Sequence, residues 1–306
     1  MQGLAKSSNQ LRIYVVDPDN KALSLSEKRY LEVSKSDFNE VSYLQSIISL
    51  PSNLDIVIIA TTADVRKQVV EVLLKSKSVT YLILEKIVFQ RSNDFVHIYE
   101  LLKSKGTKAW INLPRRVYEC YRRIKKEING KIIKVIISGK NWGMASNSIH
   151  MVDLLVFLTE CFDITFDSSQ LENIIYPSKR NGFEEFKGKL IIKSERGDLL
   201  ELLDQDSLVN DHIEISIPSI QTTFFIYEGR GFLIKQMYGK NRVKEKISIP
   251  FQSKITCNIV DQILDTKQSY LTPYVECMHY HIAMLNVYNN HFSKIKGINV
   301  ETCPIT

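Results

Sequence analysis

The clearest alternation of apolar and polar positions lies in residues 54–86, LDIVIIATTADVRKQVVEVLLKSKSVTYLILEK. Two near-continuous apolar runs, residues 55–60 and 80–84, bracket a segment, 64–75, with the spacing of an amphipathic helix. Unbroken runs of Ile, Val, Leu and Tyr predict parallel strands covered on both faces, so the stretch reads as a βαβ unit. Ligands of open α/β sheets collect beyond the carboxyl ends of the strands. That rule singles out Thr61 and Thr62 after the first strand and Glu85 and Lys86 after the second.

The same reading extends along the chain. A strand is predicted over residues 11–17 and helices over 22–33 and 41–50, with Pro51 closing the second. A helix over 93–105 stops at Gly106, and the short strand KAWINL follows. Strand and helix therefore alternate from residue 11 to 113, which predicts a parallel sheet. Pro114 then opens a basic helix that Gly130 ends, followed by the strand KIIKVIIS, a loop over 139–148 and the helix IHMVDLLVFLTECF. Between residues 187 and 249 short apolar runs are broken by RGD, DQDS, EGRG and YGKN, the turn spacing of a mostly antiparallel open sheet. Helices over 252–265 and 272–292 close the chain. The fold class expected is α/β: a parallel-sheet domain over 1–113, then an α+β domain over 114–306 whose last helix packs back on the first domain.

Composition narrows the function classes. A chain of 306 residues can bury about two cores of ordinary size. No apolar run approaches the roughly 18 to 20 residues that span a bilayer, and the opening MQGLAKSSNQ lacks an apolar export core. Five cysteines without CxxC spacing read as reduced, and a cytoplasmic location follows. The net charge of +6 is spread along the chain. It suits anionic small molecules, and no nucleic-acid motif accompanies it. His279 and His281, two apart on a helix, point in different directions, so no metal site is expected.

Several side chains suit redox chemistry at a hydroxyl. His150 has the pKa range of a general base, and Asp153, three residues on, shares its helical face. A buried helix histidine satisfied by a neighbour is the alternative. Lys86 at a strand end offers a fixed positive charge to a developing alkoxide, and Glu85 could position it. Arg115 and Arg116 suit carboxylate or phosphate groups, or else belong to an ordinary basic helix face with Arg122, Arg123, Lys125 and Lys126. Asp17, at the end of the first strand, stands where an acidic residue commonly holds dinucleotide ribose; Asp17-Pro18-Asp19-Asn20 reads equally as a turn.

The order ATT after one strand, LEK after the next, NLPRR after the third and SNSIHMVDLL on a later helix resembles the Gfo/Idh/MocA family of nicotinamide-dependent oxidoreductases. Such proteins join a Rossmann domain to a domain built on an open β-sheet. The resemblance implies that Lys86 matches the lysine of the family's Glu-Lys-Pro motif, and that His150 and Asp153 match the histidine and last carboxylate of its Asp-x-Gly-x-His-x-x-Asp motif. It also sets Ala60, Thr61 and Thr62 along the cofactor beside Glu85 and Asp17, and Asn112, Asn147 and Arg115 or Arg116 in the substrate pocket. The implied function is an NAD(P)-dependent oxidoreductase acting on a sugar or nucleotide-sugar hydroxyl or ketone, in modified-sugar or surface-glycan biosynthesis. Asp17 favours NAD over NADP, since a carboxylate there repels a 2′-phosphate. A homo-oligomer is expected from the open sheet. The alternative is a non-catalytic sensor or assembly protein that keeps the fold.

Three departures from the family pattern stand out. Ile87 replaces the proline after Lys86, and Ser146 and Ser148 replace the motif's Asp and Gly. No Gly-x-Gly-x-x-Gly turn occurs near the start. In the Rossmann order 3-2-1-4-5-6 the strand before that turn lies between the strands matched here by 11–17 and 55–60. Both are expected to show an unpaired edge, and the codons upstream of Met1 are expected to encode an apolar strand and a glycine-rich turn. An upstream stop codon would refute this.

Overall fold

A computed structural model of the chain describes residues 1–33, 39–208 and 212–306. Strand β1 (Arg12–Val16), helix α1 (Asn20–Leu31) and strand β2 (Glu40–Leu44) come first. The two strands pair in parallel from Arg12 opposite Glu40 to Val16 opposite Leu44. Residues 41–50 are therefore not the helix predicted from their spacing. Val41 and Tyr43 favour a strand, β1 satisfies the backbone of residues 40–44, and only Ile47–Ser49 keep a 3-10 turn.

The βαβ unit forms as its pattern predicts, as β3 (Asn53–Ile59), α2 (Ala63–Ser76) and β4 (Ser78–Leu84). Helix α3 (Ser92–Lys105) ends at Gly106, whose φ of 65° is left-handed, and β5 (Lys108–Ile111) follows. Strands β3, β4 and β5 are parallel neighbours in one sheet. Among the described residues β1 does not pair with β3, so β1–β2 and β3–β4–β5 belong to separate sheets. The break falls between the two strands expected to show unpaired edges. Ile58 of β3 is 37% exposed, whereas Leu82 and Leu84 of β4 are wholly buried.

The basic helix predicted from Pro114 is interrupted. Pro114–Val117 form a 3-10 turn, Tyr118 is extended, and α4 (Glu119–Ile128) starts afresh. After β6 (Lys134–Gly139), α5 (Met144–Thr159) begins several residues earlier than predicted, so Ser146 and Asn147 lie on its first turns rather than in a loop. The polar strand β7 (Ile164–Leu171) and the short hairpin β8 (Tyr176–Pro177) and β9 (Glu184–Glu185) have too little apolar content for the pattern to show them.

Then come β10 (Gly188–Ser194), β11 (Leu199–Asp204), β12 (Ile213–Ile217), β13 (Thr222–Tyr227), β14 (Phe232–Met237) and β15 (Val243–Lys246). They join β6 and β7 in an eight-stranded sheet of order β15-β14-β13-β12-β6-β11-β10-β7, antiparallel except where β6 meets β11. Alternate residues such as Val135, Leu190, Leu200 and Ile215 are wholly buried, the period-two pattern of a sheet with one covered face.

Helix α6 (Gln252–Thr266), β16 (Thr272–Pro273) and α7 (Tyr274–Lys296) return to the first half of the chain. Strand β16 pairs antiparallel with β5. Helix α7 packs on α3, where Tyr274 donates to the Phe95 carbonyl at 2.9 Å and the rings of Phe95 and His281 lie 4.9 Å apart. One apolar cluster runs from β3 and β4 through α5 and α7 into the large sheet. The buried Ile13, Leu23 and Tyr30 of the β1–α1–β2 unit lie outside it. Among the described residues no helix is long and apolar enough to cross a membrane. The five cysteines are free and buried.

Candidate functional site

The carboxyl ends of β3, β4 and β5 meet the first turns of α5. Thr62 is the N-cap residue of α2 at the end of β3, with half-buried Thr61 and exposed Ala60 before it. Half-buried Glu85 and Lys86 follow β4, and the Lys86–Ile87 peptide bond is cis. Buried Asn112 follows β5 and donates from Nδ2 to Glu85 Oε1 at 2.6 Å. Lys86 reaches across to α5, where Nζ donates to the Ser146 carbonyl at 3.1 Å and to Asn147 Oδ1 at 3.2 Å. Asn147 is held in turn by donating Nδ2 to the Trp142 carbonyl at 2.8 Å. Burial pushes the Lys86 ammonium below its ordinary pKa, and nearby Arg180 adds repulsion.

His150 lies one turn further along α5, half-buried, with its Nδ1 enclosed and lacking a hydrogen-bond partner. Burial, with repulsion from Arg115 and Lys86, drives its pKa well below the ordinary value of 6.5. The ring is therefore neutral at physiological pH.

Asp153 does not support that imidazole. It is wholly buried, and its Oδ1 accepts from Arg116 Nε at 2.9 Å, Thr272 Oγ1 at 2.7 Å and Tyr280 OH at 2.7 Å. Arg116 is consumed in the same cluster, with Nη1 donating to Glu276 at 2.9 Å. Arg115 forks onto Glu228 at 2.9 and 2.8 Å, and Tyr121 donates to the same carboxylate at 2.7 Å. Both arginines thus hold the turn before α4 against its neighbours, and Arg115 still lies close enough to His150 to repel its charge. Asp17 directly follows β1 of the smaller sheet, and its Oδ1 accepts from the Asp19 backbone at 2.9 Å, so the turn forms.

Two groups that the sequence pattern did not single out complete the site. Arg66 of α2 is 1% exposed and points its guanidinium at the strand ends. It donates to the carbonyls of Thr61, Glu85, Ile87 and Val88, bridging the turns after β3 and β4. Its signal was present in the sequence: Ala63, Arg66, Val70 and Leu73 share the buried stripe of α2, and an arginine on such a stripe needs buried partners. Glu185 of β9 is the other. Its carboxylate accepts from the Ala145 backbone at 2.8 Å and from the Ser146 hydroxyl, at the start of α5. No local pattern could have placed it, since Glu185 comes from a hairpin and lies 40 residues after Ala145.

The chain's last residues also lie here. Cys303 donates its backbone N–H to the Gln90 carbonyl, and Gln90 returns a bond to Ile305. The Glu184 backbone donates to the Pro304 carbonyl at 2.7 Å, and Thr306 Oγ1 accepts from the Ala63 N–H at 2.9 Å. The segment stitches α2, the turn after β4 and the β8–β9 hairpin together. Among the described residues no group of three or more His, Cys, Asp or Glu could hold a metal ion.

The β3–β4–β5 sheet with its helices and the eight-stranded sheet that follows form a fold shared with solved structures of oxidoreductases and of a transcriptional regulator. Among solved structures, an oxidoreductase from Agrobacterium radiobacter in complex with NAD+, L-tartaric acid and magnesium matches 94% of this chain and 90% of its own, with a TM-score of 0.69 and 13% identity. The UDP-N-acetylglucosamine 3-dehydrogenase GnnA from Acidithiobacillus ferrooxidans matches 90% and 96%, with a TM-score of 0.67 and 11% identity. The transcriptional regulator Gal80p from Kluyveromyces lactis matches 94% and 87%, with a TM-score of 0.66 and 14% identity. No family sequence model matches the chain. No curated protein sequence matches it.

Proposed function

We propose that the protein is a cytoplasmic NAD(P)-dependent oxidoreductase of a sugar or nucleotide-sugar hydroxyl or ketone, serving modified-sugar or surface-glycan synthesis. The observation that carries this reading is Lys86, a half-buried cation at the end of β4 aimed at Asn147, beside neutral His150. In this reading residues 1–113 hold the cofactor and 114–306 the substrate, and copies associate through the open face of the large sheet.

The residues present fit the nicotinamide end of such a cofactor. Thr61 Oγ1 and Asn112 Oδ1 are enclosed polar atoms without partners, at the ends of β3 and β5 on either side of β4. Ala60, Thr61, Thr62, Glu85 and Lys86 would line it, with Asp17 at the ribose further along and NAD favoured. When bound, the nicotinamide accepts or donates a hydride at the reacting carbon. The chain's own part is the proton and the charge. Neutral His150 takes the hydroxyl proton during oxidation, its protonated form gives one back during reduction, and Lys86 stabilises the negative charge on the reacting oxygen. Asn112 and Asn147 orient the substrate. Asp153, Arg115 and Arg116 hold the walls, because their charged groups are already paired.

Binding of NADH and NADPH, followed by fluorescence, and turnover on a panel of UDP-sugars test the reading. Lys86→Ala is expected to lower kcat by about 100- to 1,000-fold, the scale of losing one transition-state donor. Unchanged turnover in that variant would refute the role of Lys86. A second reading, a non-catalytic sensor or assembly protein, is favoured by Ser146 standing where the family motif has aspartate and by the Gal80p likeness. Absence of binding by both reduced cofactors would select it.

A further inference from the structure

We propose that Glu185 is a positioning residue that supplies, from the β8–β9 hairpin, the carboxylate the site lacks at residue 146, and so balances the charge of Lys86. The inference rests on the site of the function proposed above, but not on its cofactor or substrate. Glu185 and Lys86 approach the first turn of α5 from opposite elements and converge on one residue. The carboxylate takes the Ser146 hydroxyl, and the ammonium takes the Ser146 carbonyl at 3.1 Å.

The pocket for the carboxylate is built closely. Gly143 precedes α5 at a φ of 72°, and a Cβ there would lie 3.2 Å from Glu185 Oε1, Ser146 Oγ and Asn147 Nδ2. A left-handed glycine is what lets the three side chains meet. The main chain of Glu184 is tied to Pro304, and the Glu184 side chain to Lys296 of α7 at 2.9 Å, so the hairpin is anchored on both sides of the fold.

Serine is the residue type this arrangement requires at 146. An aspartate there would set two carboxylates against each other, whereas a hydroxyl donates to the one that arrives from β9. The charges acting on Lys86 besides Glu185 are Arg180 from the same hairpin, Glu85 from its own strand end and Arg66 from α2, while His150, which Lys86 also repels, is neutral. With two arginines near the ammonium, Glu85 alone leaves it poorly compensated. Burial raises the Glu185 pKa and lowers that of Lys86, and each charge shifts the other back towards its ionised form.

A helix cap alone would need only an acceptor, and glutamine supplies one. The experiment follows the titration of Lys86 by NMR of protein labelled at the lysine side-chain carbon, with the signal assigned from Lys86→Arg. In Glu185→Gln the Lys86 midpoint is expected to fall by about one pH unit. In the double variant Ser146→Asp/Glu185→Gln it is expected to return, because the carboxylate is restored from the helix side. An unchanged midpoint in Glu185→Gln overturns the proposal and leaves a neutral cap. If that variant does not fold, the reciprocal measurement decides: the Glu185 carboxyl is expected to titrate higher in Lys86→Gln, and an unshifted titration overturns the proposal. Failure to bind NADH or NADPH would refute the enzyme reading without touching either titration.

Discussion

His150 and Asp153 are three residues apart on α5, yet they serve different neighbourhoods. Asp153 is the buried counter-ion of Arg116 and the acceptor for Thr272 and Tyr280. Removing one partner of a buried pair strands the other charge. Asp153→Ala is therefore expected to cost about 3–5 kcal/mol in urea unfolding. A loss confined to activity would contradict the structural role.

Two histidines with lowered pKa values weaken the fold in acid. His281 is pushed down to about 3 by burial, with Arg66 and Lys86 adding repulsion, and His150 is lowered well below 6.5. A histidine whose folded pKa is lowered binds its proton more readily in the unfolded chain. Its stabilisation is complete above pH 6.5 and is lost as pH falls towards the folded value of about 3. Each such group contributes up to about 1.4 kcal/mol per pH unit in that window. Glu185, with its raised pKa, acts in the opposite sense. Urea midpoints measured between pH 7 and pH 4 should show the decline, and His281→Phe should flatten it.

At the scale of elements, legibility in the sequence followed the strength of the local pattern. The βαβ unit of β3, α2 and β4 was legible because continuous apolar runs and a helical stripe cannot exchange roles. Residues 41–50 were misread because a short run of mixed spacing is settled by its neighbour, here β1. Lys86 was legible from its place after a buried strand, and its contact with Asn147 shows which surface it faces. Glu185 was not legible, because two polar residues in a two-residue strand carry no periodicity, and what positions them is a hairpin anchored from α7 and from residue 304. Asp153 shows the limit of spacing arguments. A shared helical face brings two side chains near each other, but the buried guanidinium of a third residue, Arg116, takes the carboxylate.

For the molecule as a whole, the separation of β1–β2 from β3–β4–β5 has a dynamic consequence. The buried residues Ile13, Leu23 and Tyr30 share no cluster with the main core, so little apolar burial ties their opening to that of the rest. Regions that bury little apolar surface against their neighbours open as separate cooperative units, at a fraction of the global unfolding energy. The amides of β1 and β2 are expected to exchange with deuterium well before those of β4 and β5, and trypsin is expected to cut first within residues 12–44. Equal protection across all four strands would show one cooperative unit instead. Unequal protection would make the β1–β2 unit a flap that opens on its own, and its rate of opening would then limit how fast anything held against it can leave.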